Sequence, residues 1–172
     1  MKKKERIIIA GMAGVSNLGI DLTTYFENLK NGYTKMSPIE FDSPLKYHTT
    51  FGGKVDARDI EIMKARITPL LGGKPFNYEK WKETFYSIYC LHEIMRVCKT
   101  LPKRTGLIVG SGCGCINSIE EDYINMFVNQ KVNPLSIVEG MNNYISGYLT
   151  MLGAKSRRSE EHTSELQSHH DL

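Results

Sequence analysis

Two stretches of this 172-residue chain follow one plan: a short apolar run, a glycine-rich turn and a helix start. The first is "RIIIAGMAGVSNLGIDL" and the second "TGLIVGSGCGCINSIEEDYINMF". Ile7, Ile8 and Ile9 are consecutive and β-branched, and Leu107, Ile108 and Val109 form a matching run. Such continuous apolar runs, bounded by glycine, read as strands covered on both faces rather than on one. A strand of that kind needs neighbours at its edges and helices above and below, so the class expected is layered α/β. The pattern predicts that Arg6–Ala10 and Thr105–Val109 share a sheet, with a helix near Trp81–Cys98 packed against it.

In the first unit Gly11 and Gly14 end the strand. Asp21 is placed to cap a helix running through Thr24, Phe26 and Leu29 to a stop at Asn31-Gly32. A strand, a glycine loop and a helix invite a dinucleotide-binding reading, but the spacing refuses it. Glycines fall at 11, 14 and 19, not as GxGxxG, and no acidic residue closes a second strand about twenty residues on. Use of the Gly11–Gly19 loop for some other anion stays open.

The middle of the chain reads as loop and helix. "SPIEFDSPLKYHTTFGGKVD" holds Pro38, Pro44, Gly52 and Gly53, so it should run over the surface with one short strand near Phe51–Val55. A short helix is expected to begin at Asp59, and a long one from Asn77. Trp81, Phe85, Ile88, Leu91, Met95 and Cys98 recur at helical spacing and make one apolar stripe. His92 borders that stripe, where a packed or half-exposed histidine is the ordinary outcome. Pro102 ends the helix.

In the second unit the turn Gly110-Ser111-Gly112-Cys113-Gly114 calls for small residues and backbone freedom. Ser118 with Glu121 three residues later forms a capping box for the next helix. Cys113 and Cys115 lie near that helix's N-terminus, where a thiol pKa can fall and a nucleophile can arise. No histidine is close by in sequence to serve as base. The plainer reading is that both thiols fill tight spaces.

Composition narrows the function. Four cysteines, at 90, 98, 113 and 115, form no CxxC pair and have no matching histidine spacing, which suits a reduced cytoplasmic protein without a structural metal. No apolar run approaches a membrane span, and Glu5 interrupts the basic start before a signal peptide could form. The net charge is +3. Residues 158–172 contribute one arginine and four acids, so Met1–Arg157 alone carries +6. The cations are scattered rather than clustered, which argues against nucleic-acid binding. The last fifteen residues hold Leu166 and Leu172 as their only apolar side chains, too little to offset about 1–2 kcal/mol of ordering entropy per residue. Three readings fit them: a metal-binding tail carrying His162, His169 and His170, a solvated terminus, or foreign sequence. "RSEEHTSELQS" looks like translated sequencing adapter, so residues 158–172 are expected to be a non-native, disordered tail.

"RIIIAGMAGVSNLGIDLTTYFENLKNG", "GLIVGSGCGCINSIEEDY" and "VNPLSIVEGMNNYISGYLTMLGAK" together resemble the N-terminal portion of beta-ketoacyl-acyl-carrier-protein synthases of the elongating, synthase II-like branch. The resemblance runs from Arg6 to Lys155 and is weak between about Leu45 and Arg104. Asn143 and Gly147 match the family's N-x-x-x-G ahead of "LGAK". It implies the N-terminal half of a thiolase-like layered α/β/α/β/α fold, incomplete here, with residues 1–157 as a partial N-terminal domain. The implied reaction condenses acyl and malonyl thioesters with loss of carbon dioxide, in fatty-acid or polyketide biosynthesis, with no cofactor. The implied partners are acyl carrier protein and a second synthase subunit, in a homodimer or heterodimer.

The resemblance also implies a catalytic cysteine, two histidines and a lysine beyond "LGAK", so none of the four is expected in this chain. Cys113 then lines the acyl pocket between the turn glycines Gly110, Gly112 and Gly114. Leu135, Ser136 and Met141 fall in a second pocket stretch, and depart from the family's bulkier aromatic pattern. Two alternatives stand beside a truncated synthase: a non-catalytic, chain-length-determining partner subunit, and an anion-binding module unrelated to acyl transfer.

Overall fold

The computed structural model describes residues 7–39, 48–99, 105–141 and 143–156, with side chains as far as 153. The expected tail at 158–172 lies outside the described residues, as do Arg6, Pro44 and Pro102.

Helix α1 spans Leu22–Lys30. Its first turn is closed by Asp21, whose carboxylate accepts from the backbone N–H of Thr24 at 2.9 Å and from the Thr24 hydroxyl at 2.8 Å. The helix ends at Asn31, and Gly32 follows with φ of 72°, a left-handed turn that costs a residue with a Cβ more than glycine. Start and stop are both where Asp21 and Asn31-Gly32 put them.

Strands β1 (Met36–Pro38) and β2 (Phe51–Gly53) pair antiparallel, with Ser37 opposite Gly52. β2 is the short strand expected near Phe51–Val55; its partner lies in a stretch expected to be loop. Asn17 ties this hairpin to the first glycine loop, because its Nδ2 donates to the carbonyls of Thr34 and Lys35. A Cβ at Gly53 would stand 2.8 Å from that same nitrogen, so glycine is needed there for the approach.

Three longer helices build the core. Helix α2 (Ala57–Leu71) starts at Asp56, which caps the N–H of Arg58, and ends at Gly72 in the left-handed region. It is longer than the short helix expected from Asp59, and its buried stripe is Met63, Ile67 and Leu71. Helix α3 (Lys82–Cys98) presents Phe85 and Ile88 to the interior as its spacing predicts, joined by Thr84 and Tyr89. His92 is half-buried on its border, with Nδ1 3.3 Å from Glu93 Oε1. Helix α6 (Asn143–Ser156) adds Ile145 and Leu149. Phe76 sits where these helices meet, with ring contacts to Trp81 at 5.3 Å and to Tyr148 at 5.6 Å. Burying each such side chain contributes about 1.5–3 kcal/mol.

Helix α4 (Ile116–Phe127) and the short α5 (Ser136–Gly140) pack against each other beside this core. Helices with a small sheet make the chain a partial α/β, thiolase-like domain.

The two strands expected to anchor the fold are not strands here. Residues 7–10 and 105–109 join no sheet, and Ile8, Ile9 and Ile108 are largely exposed. α3 packs on α2 and α6 instead of on a sheet. The physical reason is that an interior strand is stabilised by ladder partners on each edge and apolar layers on each face; among the described residues no strand pairs with 7–10 or 107–109, and of these residues only Val109 packs on the core. What remains of the intended contact is local. A Cβ at Gly11 would lie 3.2 Å from Cys98 Sγ, and Val15 and Val109 touch the core.

Candidate functional site

The second glycine turn leads straight into α4. Cys113 is exposed at its tip, while Gly114 and Cys115 are buried. Gly114 has φ of 61°, and its N–H donates to Ser111 Oγ at 2.8 Å. A Cβ at Gly110 or Gly112 would meet nothing within 4 Å, so of the three glycines only Gly114 answers a conformational need within this chain.

Cys115 holds the N-cap position of α4 but makes no side-chain cap bond. Its sulfur lies 3.6 Å from Thr84 Oγ1 on α3, and both side chains are fully buried. Burial pushes the Cys115 thiol up, against the hydrogen bond with Thr84, which pulls the other way. A raised, sealed thiol is the opposite of an activated nucleophile. The expected capping box is not formed either. The helix starts at Ile116, which places Ser118 inside its first turn, buried and with no partner for its hydroxyl among the described residues.

The most organised chemistry lies one turn further on, and none of its charged members was singled out from sequence. Lys80 Nζ donates to Asp122 Oδ1 at 2.9 Å and forms an ion pair with Glu139 Oε2 at 2.8 Å. Asn133 Nδ2 donates to both oxygens of Asp122, at 3.3 and 3.1 Å, and to Glu139 Oε2 at 3.0 Å. The Ser136 hydroxyl donates to Asp122 Oδ2. Desolvation opposes the charged form of Asp122, yet Ser136, Lys80 and Asn133 together hold its carboxyl below the usual range. Desolvation likewise opposes the Lys80 ammonium, and Glu139 and Asp122 hold it above its ordinary value. A sequence signal for this cluster does exist: Glu139 is the lone charge between Asn133 and Asn143.

Beside the cluster, α4 and α5 enclose a groove of about 430 Å³. Ile119, Tyr123 and Met126 form its α4 wall, Ile137, Gly140 and Met141 its α5 wall, and Asp122 with Ser136 its polar edge. The helices come this close because α5 ends in glycine: a Cβ on Gly140 would stand 2.7 Å from Ile119 Cγ1. Of the residues expected to line a pocket, Ser136 and Met141 meet here. Leu135 caps the start of α5, its N–H donating to Asn133 Oδ1, with its side chain exposed outside the groove lining. Cys113 is on the exposed turn and is not part of this lining.

The first glycine loop closes on itself at its far end. Ser16 and Gly19 exchange backbone hydrogen bonds at 3.0 and 3.2 Å, and the Leu18 N–H donates to Ser16 Oγ. Those three N–H groups are therefore occupied within the loop. Among the described residues no group of three or more His, Cys, Asp or Glu is placed to hold a metal ion, and no helix is long and apolar enough to cross a membrane.

Comparison with known proteins gives this arrangement its family. Residues 4–155 match the model of the beta-ketoacyl synthase N-terminal domain. A 3-oxoacyl-[acyl-carrier-protein] synthase I, chloroplastic, of Arabidopsis thaliana is similar, at 26% identity over 161 residues. That alignment covers 86% of this chain but 32% of the relative, so the chain spans about a third of that protein's length. From residue 4 to residue 155 this chain belongs to the beta-ketoacyl synthases, through their N-terminal domain.

Proposed function

We propose that residues 1–157 are the acyl-chain-binding N-terminal part of a 3-oxoacyl-[acyl-carrier-protein] synthase, and that 158–172 is a foreign tail. The parent enzyme condenses an acyl thioester with a malonyl thioester in fatty-acid or polyketide assembly. It works in the cytoplasm with acyl carrier protein, as a homodimer or synthase heterodimer. The observation that carries the reading is the α4–α5 groove, an apolar slot with one polar edge, set directly after the glycine turn of a chain in this family. Such a slot suits an alkyl chain entering with its polar thioester at one end.

The nucleophilic cysteine, the two histidines and the lysine of the condensation belong to residues this chain does not include. Cys115 is sealed and its thiol raised, and Cys113 has no histidine or lysine among its hydrogen-bond or ion-pair partners among the described residues. The chain alone therefore binds acyl groups without condensing them. A dodecanoyl-pantetheine carrying a terminal diazirine tests the reading. Crosslinks to Tyr123, Met126 or Met141 are expected; crosslinks confined to the Gly11–Gly19 loop or scattered over the surface would contradict it.

A further inference from the structure

The α4–α5 groove is apolar along its walls, yet what joins its two helices is polar. α5 is a five-residue helix whose own backbone cannot hold it in place. Two carboxylates, Asp122 from α4 and Glu139 from α5, share the single ammonium of Lys80, which enters from the turn before α3. Both carboxylates are nearly buried, so without a cation between them they would repel in a poorly solvated space. Asn133 bridges the same two carboxylates but carries no charge.

We propose that Lys80 is a positioning residue that pins α5 against α4 and thereby sets the groove's width and its choice of acyl-chain length. The choice of chain length rests on the acyl reading of the groove; the pinning of α5 does not. Lys80 is not among the residues that line the groove; it acts on the groove through Asp122, which with Ser136 forms the polar edge.

Hydrogen exchange on Met1–Leu172, read by mass spectrometry, separates the two parts. Lys80→Met keeps the aliphatic stem and removes the charge, Lys80→Arg keeps the charge, and Glu139→Gln removes the α5 end of the tie. In Lys80→Met, peptides over 133–141 should exchange about tenfold faster, while those of α2 and α3 change less than about twofold. Glu139→Gln should show the same pattern and Lys80→Arg should restore protection. Unchanged protection over 133–141 in Lys80→Met would overturn the pin. So would an equal loss over α2, α3 and α5 in both charge-removing variants.

The groove is read with hexanoyl- and dodecanoyl-pantetheine, followed by fluorescence of Trp81, the chain's single tryptophan and Lys80's immediate neighbour. The ratio of the two affinities should shift about tenfold in Lys80→Met and return in Lys80→Arg. A ratio held within about twofold while α5 loosens would overturn the role in chain-length choice. If neither thioester binds the unaltered chain, the acyl reading fails, and the exchange pattern still decides the pin.

Discussion

The Thr84 hydroxyl lies 3.6 Å from Cys115 Sγ, and neither side chain reaches solvent. This contact joins α3 to the start of α4 and fixes what the helix N-terminus can do. The dipole of α4 would favour a thiolate, but burial of the sulfur, with Glu83 and Glu139 nearby, pushes the thiol up. Cys113, two residues away and exposed, is the accessible thiol of the pair.

The first prediction is therefore one of contrast. Treated with iodoacetamide at neutral pH, Cys113 should alkylate readily and Cys115 only after unfolding, at least about a hundredfold more slowly. Peptide mapping over a time course measures both rates in one sample. Equal rates would mean that the α3–α4 contact opens freely.

Asp122 makes stability depend on acid. Its folded carboxyl is held below the unfolded value of about 4. Stability from this group is therefore complete above that unfolded value and is lost as pH falls through the lower, folded one. Asp122→Asn should cost about 1–3 kcal/mol near neutrality, since Lys80, Asn133 and Ser136 each lose a charged acceptor. It should also flatten the fall in stability below about pH 4, as urea titrations at several pH values would show. An undiminished acid slope in the variant would assign that slope to other carboxylates.

Gly140 offers a purely steric test. Alanine there would meet Ile119 at a distance that real side chains do not reach, so the Ile119 side chain or α5 must give way. A loss of about 1–3 kcal/mol is expected, with the groove widened rather than filled. Gly112→Ala, where nothing lies within 4 Å, should be close to neutral and serves as the control.

At the other end of the chain, Asp21→Ala should cost about 1 kcal/mol by leaving the Thr24 N–H without its cap. Because α1 has no fully buried residue, the loss should appear mainly as fraying of Leu22–Lys30, visible in its exchange rates.

These cases also show what could be read from the sequence. Asp21 and Asn31-Gly32 bound α1 correctly because capping is settled within a few residues. The Phe85 and Ile88 stripe of α3 was legible because helical periodicity marks a buried face whatever covers it. Ile7–Ile9 and Leu107–Val109 were legible as runs built for burial, but a strand exists only with a partner, and none is paired to them among the described residues. The Lys80 cluster stayed hidden for a related reason: Lys80 and Asp122 are 42 residues apart, and no local rule brings them together. Gly140 likewise shows its purpose only once Ile119 is beside it.

The central claim, that this chain offers an acyl groove without its own nucleophile, is tested most directly by intact-mass spectrometry after incubation with a dodecanoyl carrier-protein thioester. Acyl transfer would require a protein thiolate to attack the thioester carbonyl and expel the carrier thiol, adding one dodecanoyl group to the chain. The expected result is an unchanged mass, with dodecanoyl-pantetheine bound reversibly in a parallel equilibrium measurement. Stoichiometric acylation at Cys113 or Cys115, abolished by replacing that cysteine with alanine, would contradict it.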